Sequence, residues 1–115
     1  MLPNTLRRAL LICVLPLASY AAIDSALVGE WESISLEPDI IGRVTYSADH
    51  TWSGCVDDPR HGSFRGSGVW RVEGGQVISR DGEHRESRAE ILAISQDELR
   101  IRGPDGIVST YVRVK

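Results

Sequence analysis

The sequence predicts an all-β fold, an eight-stranded antiparallel up-and-down barrel. Three observations lead there. Segments that alternate apolar and polar residues recur along the chain, the mark of strands with one wet face. Clusters rich in Gly, Pro and Asp separate them at short intervals. Only 84–94, discussed below, carries any stripe at helical spacing after residue 22. Consecutive antiparallel strands close most economically into a meander without unpaired edges. At eight strands the interior is filled by side chains or holds one small ligand.

The chain opens with a segment of a different kind. Arg7 and Arg8 precede an apolar run from Ala9 to Leu17, broken only by Pro16. Ser19-Tyr20-Ala21 then offers the small residues a signal peptidase needs. The run is about half of the roughly 20 residues required to span a bilayer, so an export leader is expected rather than a membrane anchor. Cleavage after Ala21 would leave 22–115 as the working domain, periplasmic or secreted. The residues before Cys13 (Leu10-Leu11-Ile12) are too large to suit lipidation there. Cys55 would then be the sole thiol, unable to form an internal disulfide. It alternates with Thr51 and Ser53, so it is either exposed enough for an intermolecular bridge or half-buried as a small apolar residue.

The first strand is expected over Leu27–Leu36, ended by Glu37-Pro38-Asp39. Gly42–Ala48 follows, and Asp49-His50 reads as a two-residue turn into Thr51–Val56. Asp57–Ser63, with Asp57-Asp58-Pro59 and Gly62, suits a loop. Phe64–Val72 alternates best, with Phe64, Gly66, Gly68, Trp70 and Val72 on one side. The two glycines there signal a bend or the close approach of other groups. Glu73-Gly74-Gly75-Gln76 is a hairpin turn, because glycine adopts the positive φ of a two-residue connection. Val77–Arg80 is short. Glu86–Ile94 is read as a strand from its hairpin-like neighbours, although Ile91, Leu92 and Ile94 also fit a helical stripe. Leu99–Arg102 and Ile107–Val114 complete the set around Gly103-Pro104-Asp105-Gly106.

Composition narrows the possible functions. Loss of Arg7 and Arg8 takes the formal charge from −3 to −5, which argues against nucleic acid or anionic lipid as the main partner. His50, Cys55, His61 and His84, with Asp49, Asp57 and Asp58, lack the close pairing of a zinc site and read as loop residues. Ser, His and Asp occur in no nucleophile elbow, and the glutamates from Glu73 to Glu90 are interleaved with arginines. Neither a catalytic residue, a metal nor a cofactor is expected.

Gly29-Glu30-Trp31 near the start of the first strand, and Arg113 near the end of the last, form a recognisable combination. So do the Tyr46–Trp52 hairpin, Gly68-Val69-Trp70 with Gly74-Gly75, and Tyr111-Val112-Arg113. In these motifs the chain resembles a bacterial lipocalin-like domain, a small secreted barrel of the calycin type. The resemblance runs from about Leu27 to the C-terminus. It implies that Arg113 packs across Trp31 where the barrel closes, a contact worth roughly 0.5–2 kcal/mol. The chain departs from full lipocalins in its short length, its lack of a C-terminal helix and its lack of a disulfide.

The expectation is therefore an exported, non-enzymatic barrel binding a small apolar or amphipathic ligand. Trp31, Tyr46, Trp52, Phe64, Trp70 and Tyr111 are the candidate lining residues, or else simply the packed core. The alternative is a protein-binding barrel with a filled interior, such as an exported protease or lysozyme inhibitor. Its contacts would come from the loops at 37–41, where Ile40 and Ile41 follow Pro38, and 57–63.

Overall fold

The computed structural model describes residues 22–34 and 39–115. The expected export leader and the Glu37-Pro38 turn lie outside them. Eight strands close into one antiparallel barrel in sequence order. They are β1 (Gly29–Ser33), β2 (Ile41–Tyr46), β3 (Thr51–Asp58), β4 (Gly62–Glu73), β5 (Gln76–Asp81), β6 (Glu86–Ile94), β7 (Glu98–Arg102) and β8 (Val108–Arg113). Among the described residues no helix is long and apolar enough to cross a membrane.

Two expected boundaries are corrected. The first strand does not begin at Leu27, because residues 22–27 are helical and β1 starts at Gly29. Leu27 is fully buried at the barrel's end, so its apolar side chain serves as a plug. Second, most of the expected 57–63 loop is strand. Asp57 pairs with Ser63 and Asp58 with Gly62, leaving a turn of only residues 59–61. The polar residues stabilise that hairpin from within. Ser63 Oγ donates to Asp57 at 2.7 Å, and the Asp58 carboxylate accepts the Arg60 N–H at 2.9 Å and contacts His61 Nδ1 at 2.8 Å.

The turns follow a common plan. Ser47 N–H donates to Thr51 O and His50 N–H to Ser47 O, enclosing Ala48-Asp49-His50 in a three-residue loop. His50 takes the left-handed conformation at φ 66°. The expected two-residue turn is thus one residue longer, since the Asp49 carboxylate accepts both the N–H and the hydroxyl of Thr51. The β5–β6 and β7–β8 turns repeat this geometry, with His84 and Gly106 at the positive-φ position. Gly74 and Gly75 both have positive φ, as a two-residue β4–β5 turn requires. In β6 the register shifts between Ile91 and Ala93. That bulge brings Ile91 and Ile94 to the same side and explains their helix-like spacing in a strand.

Strand direction places segment 22–27 and the turns at 47–50, 74–75 and 95–97 at one end, here the floor. The core sits there. Leu27, Trp31, Tyr46, Trp70, Val77 and Leu99 form one buried cluster. Trp31 Nε1 donates to Leu27 O at 2.9 Å, and the Tyr46 and Trp70 rings pack in a T-shaped arrangement with centroids 5.4 Å apart. Arg113 holds the closure. Its guanidinium lies 4.2 Å from the Trp31 ring centroid and donates to Ala26 O, Val28 O and Gln96 O. Gly29, at φ +138°, is a glycine for a visible reason: a Cβ there would occupy the space of Arg113 Nη1. The helical segment is also tied to the β2–β3 turn, where His50 Nε2 contacts Asp24 at 3.3 Å and the His50 ring lies against Trp70.

Candidate functional site

Beyond Trp31 and Tyr46 the barrel is not filled. Two cavities open toward the end opposite the floor, here the mouth. The first, about 360 Å³, is bounded by Val44, Trp52, Val56, Phe64 and Tyr111, with Ser33, Ser109, Arg43 and Arg65 among its polar groups. The second, about 330 Å³, is bounded by Tyr46, Val77, Ser79, Ala89 and Ile101, with Asp81, Arg85 and Glu86 toward solvent. Val44 and Trp52 line both, so Trp52 stands as a partition between two lobes. Volumes of this order suit small organic ligands.

Missing side chains create the space. Gly54 and Gly66 face each other across β3 and β4, and the Trp52 indole lies over both. A Cβ on Gly66 would meet Trp52 Cη2 at 3.0 Å. Trp52 Nε1 donates to Arg80 O at 3.3 Å, so the ring is anchored through its one polar atom. Gly68 has a separate role, because the Arg80 carbonyl occupies the volume its Cβ would need. The β4–β5 backbones can approach there only if residue 68 lacks a side chain.

The polar groups of the site combine neutral hydroxyls with charged side chains, Arg43 and Arg65 at the first lobe and Asp81, Arg85 and Glu86 at the second. Burial pushes the Tyr46 phenol up to about 12, with the neighbouring Tyr111 adding to the rise and a hydrogen bond to Ser79 opposing it. Burial also raises Tyr111. Both phenols therefore keep their protons at ordinary pH. Asp81 is held below the usual carboxylate range, first by the backbone N–H of Arg85. It accepts from Glu83 N, Arg85 N and Arg85 Nε, so its charge organises the β5–β6 turn at the rim.

The mouth is apolar as well as open. Ile34, Ile41, Val56, Phe64, Ile107 and Val108 are exposed large hydrophobic residues, and all lie toward this end. Phe64 is 58% exposed while Trp31 is fully buried. The six aromatic residues expected as lining thus divide. Trp52, Phe64 and Tyr111 border the first lobe and Tyr46 the second; Trp31 and Trp70 belong to the packed floor. Ile40 is only partly exposed. The alternation pattern gave no weight to Val44 and Val56, although both were on aromatic-bearing faces.

Cys55 is half-buried on the outer face of β3, between Arg43 and Arg65 on the flanking strands. Among the described residues no three of His, Cys, Asp and Glu converge as a metal site would require. His61 is engaged with Asp58 and His50 with Asp24, in the turn and floor contacts described above.

A closed meander of eight strands, packed at one end and hollow at the other, is a lipocalin-like barrel. No family model matches the sequence, and no curated protein does. Solved structures do. A lipocalin-like protein from Bacteroides uniformis superposes with a TM-score of 0.61 at 12% identity, covering 77% of this chain and 99% of that one. A second protein from the same organism, solved by NMR, gives 0.63 at 19% identity, covering 78% and 89%. The Cpx pathway activator NlpE from Escherichia coli gives 0.52 at 16% identity, covering 76% of this chain and 45% of NlpE. At these identities the likeness is one of fold.

Proposed function

We propose that this chain is an exported, non-enzymatic lipocalin-like protein that binds a small hydrophobic or amphipathic ligand in the hollow half of its barrel. One observation carries the reading: a cavity of about 360 Å³, walled by Val44, Trp52, Val56, Phe64 and Tyr111, opens above the buried cluster of the floor. Apolar surface that stays wet in the free protein gives a ligand about 25 cal/mol for each Å² it covers. Ser109 and the neutral Tyr111 hydroxyl can orient a polar group, and the Arg43 and Arg65 side chains at the same cavity favour one that is acidic. Export rests on the leader signature of residues 1–21.

Tryptophan emission tests the proposal. Trp52 lines the cavity while Trp31 and Trp70 are buried in the floor, so a bound ligand acts mainly on one indole. Titration with fatty acids, sterols and hydrophobic dyes should give a saturable change that Trp52→Phe removes. Absence of any response across the panel would refute the reading.

The exposed apolar rim favours a second reading, a protein-binding barrel such as an exported protease or lysozyme inhibitor. Ile41 of the 37–41 segment would then contribute, together with the β3–β4 hairpin tip within 57–63. Pull-down from a culture filtrate or periplasmic extract distinguishes the two. A stable hydrolase partner, together with silence in the ligand titration, would select the inhibitor.

A further inference from the structure

We propose that the mouth half of β4, Gly62–Ser67, is a docking edge that captures an extended peptide segment of a protein partner bearing an acidic residue opposite Arg65. The barrel is closed, yet its wall is uneven in height. β4 pairs with β3 along Gly62–Val69, but its pairing with β5 begins only at Gly68, opposite Asp81. Among the described residues no strand flanks β4 from Gly62 to Ser67 on its β5 side.

The direction of the free backbone groups follows from the register. Trp70 N–H donates to His50 O at 2.8 Å, so even-numbered residues of β4 exchange hydrogen bonds with the β3 side. The odd-numbered residues exchange with β5, in keeping with Glu73 facing Gln76 across the two-residue turn. Ser63, Arg65 and Ser67 therefore point their N–H and C=O groups away from β3, toward a position with no strand. Every residue of this half-strand is exposed. Such a row is a template for strand addition.

Its side chains select the occupant. Toward the lumen the edge presents Phe64 and the bare Gly66, which leave room for apolar side chains beside the first cavity. Toward the outside it presents Arg65. The Arg65 side chain has no hydrogen bond or ion pair among the described residues, whereas Arg43, in the same cross-strand row, holds Glu32 at 3.1 Å. A second copy of this chain is a poor occupant. The two-fold register that uses all three free residues would set Arg65 directly against Arg65, and like charges so placed are destabilising. An acidic residue there makes the cross-strand pair favourable. Nothing in this edge requires the ligand proposed for the lumen, although Phe64, Arg65 and Gly66 border both.

A blocked hexapeptide of alternating glutamate and valine, added to the 15N-labelled protein, tests the edge. Binding should shift the amides of Ser63, Arg65 and Ser67 and slow their hydrogen exchange. N-methylating the glutamates, whose backbone would face the edge, should weaken binding by about tenfold or more, while N-methylating the valines should not. Arg65→Glu should weaken the glutamate peptide and favour its lysine counterpart. The proposal is overturned if those three amides are already protected in the free protein, or if their protection grows with protein concentration. Equal binding of the glutamate-methylated peptide would also overturn it.

Discussion

Arg113 and Gly29 share one small volume. The Nη1 of the arginine stands where a Cβ of residue 29 would be, and from there the guanidinium reaches Val28 O at 2.8 Å, Ala26 O at 2.7 Å and the face of Trp31. One cation thereby satisfies carbonyls at the end of the helical segment, covers an indole and joins β8 to β1. Arginine suits this place because its planar group can stack and donate at the same time.

Gly29→Ala should therefore lower stability by about 2–4 kcal/mol, from displacement of the guanidinium and from the positive φ. Arg113→Ala should cost a similar amount. The double variant should lose clearly less than the two losses added together, because both remove the same contacts. Urea unfolding of the four proteins measures this, and strict additivity would show that the two residues act separately.

Gly68→Ala and Gly66→Ala should differ sharply. The first drives a methyl into the Arg80 carbonyl, a backbone atom that can move only by opening the β4–β5 ladder. A loss of about 3 kcal/mol or more is expected. The second meets only the rim of the Trp52 ring, which can shift, so its cost should stay within about 1 kcal/mol. Thermal melts give the stabilities, and Trp52 emission should change in both variants, in Gly66→Ala through contact with the ring and in Gly68→Ala through the displaced Arg80 acceptor.

Floor and mouth should separate stability from binding. Leu27→Ala empties a fully buried position and should cost about 2–5 kcal/mol while leaving ligand affinity intact. Phe64→Ala removes a ring that is 58% exposed at the mouth; it should change stability by under about 1 kcal/mol yet weaken ligand binding. Chemical unfolding paired with ligand titration distinguishes these outcomes.

Stability should fall in strong base. The Tyr46 phenol titrates near 10.0 when exposed and is raised to about 12 in the fold by burial. Below pH 10 both states hold the proton and the stabilisation is complete. Between these values the unfolded chain releases its proton and the native chain keeps it, so stability declines with pH, by about 2–3 kcal/mol in total. Tyr46→Phe should flatten most of that decline; Tyr111, also raised by burial, accounts for a further part.

Much of the fold could be read from local patterns. Phe64 to Val72 alternates because one face of β4 meets the lumen, and Gly74-Gly75 marks a turn through backbone freedom alone. Other features were hidden for equally physical reasons. Segment 22–27 is too short to show a helical period, and its helix is held by partners distant in sequence, His50 and Arg113. The bulge in β6 made an inward strand face imitate a helical stripe. Asp57 and Ser63 looked like loop residues because nothing local reveals that they pair with each other.

The candidate site was legible only as a group of aromatic residues. Period-two spacing puts Trp31, Trp52 and Trp70 on lumen-facing sides of their strands, but not at the same height.

The amino-acid order alone was enough to specify most strands, turns and inward faces, since each is encoded in neighbouring residues, while the closure through Trp31 and Arg113 was what the resemblance to lipocalin-like domains implied. Tertiary structure decided that one end is solid and the other hollow, and that β4 outreaches β5. Those outcomes depend on the stagger between strands. Stagger is a sum of pairings around the whole barrel, and no single strand records it.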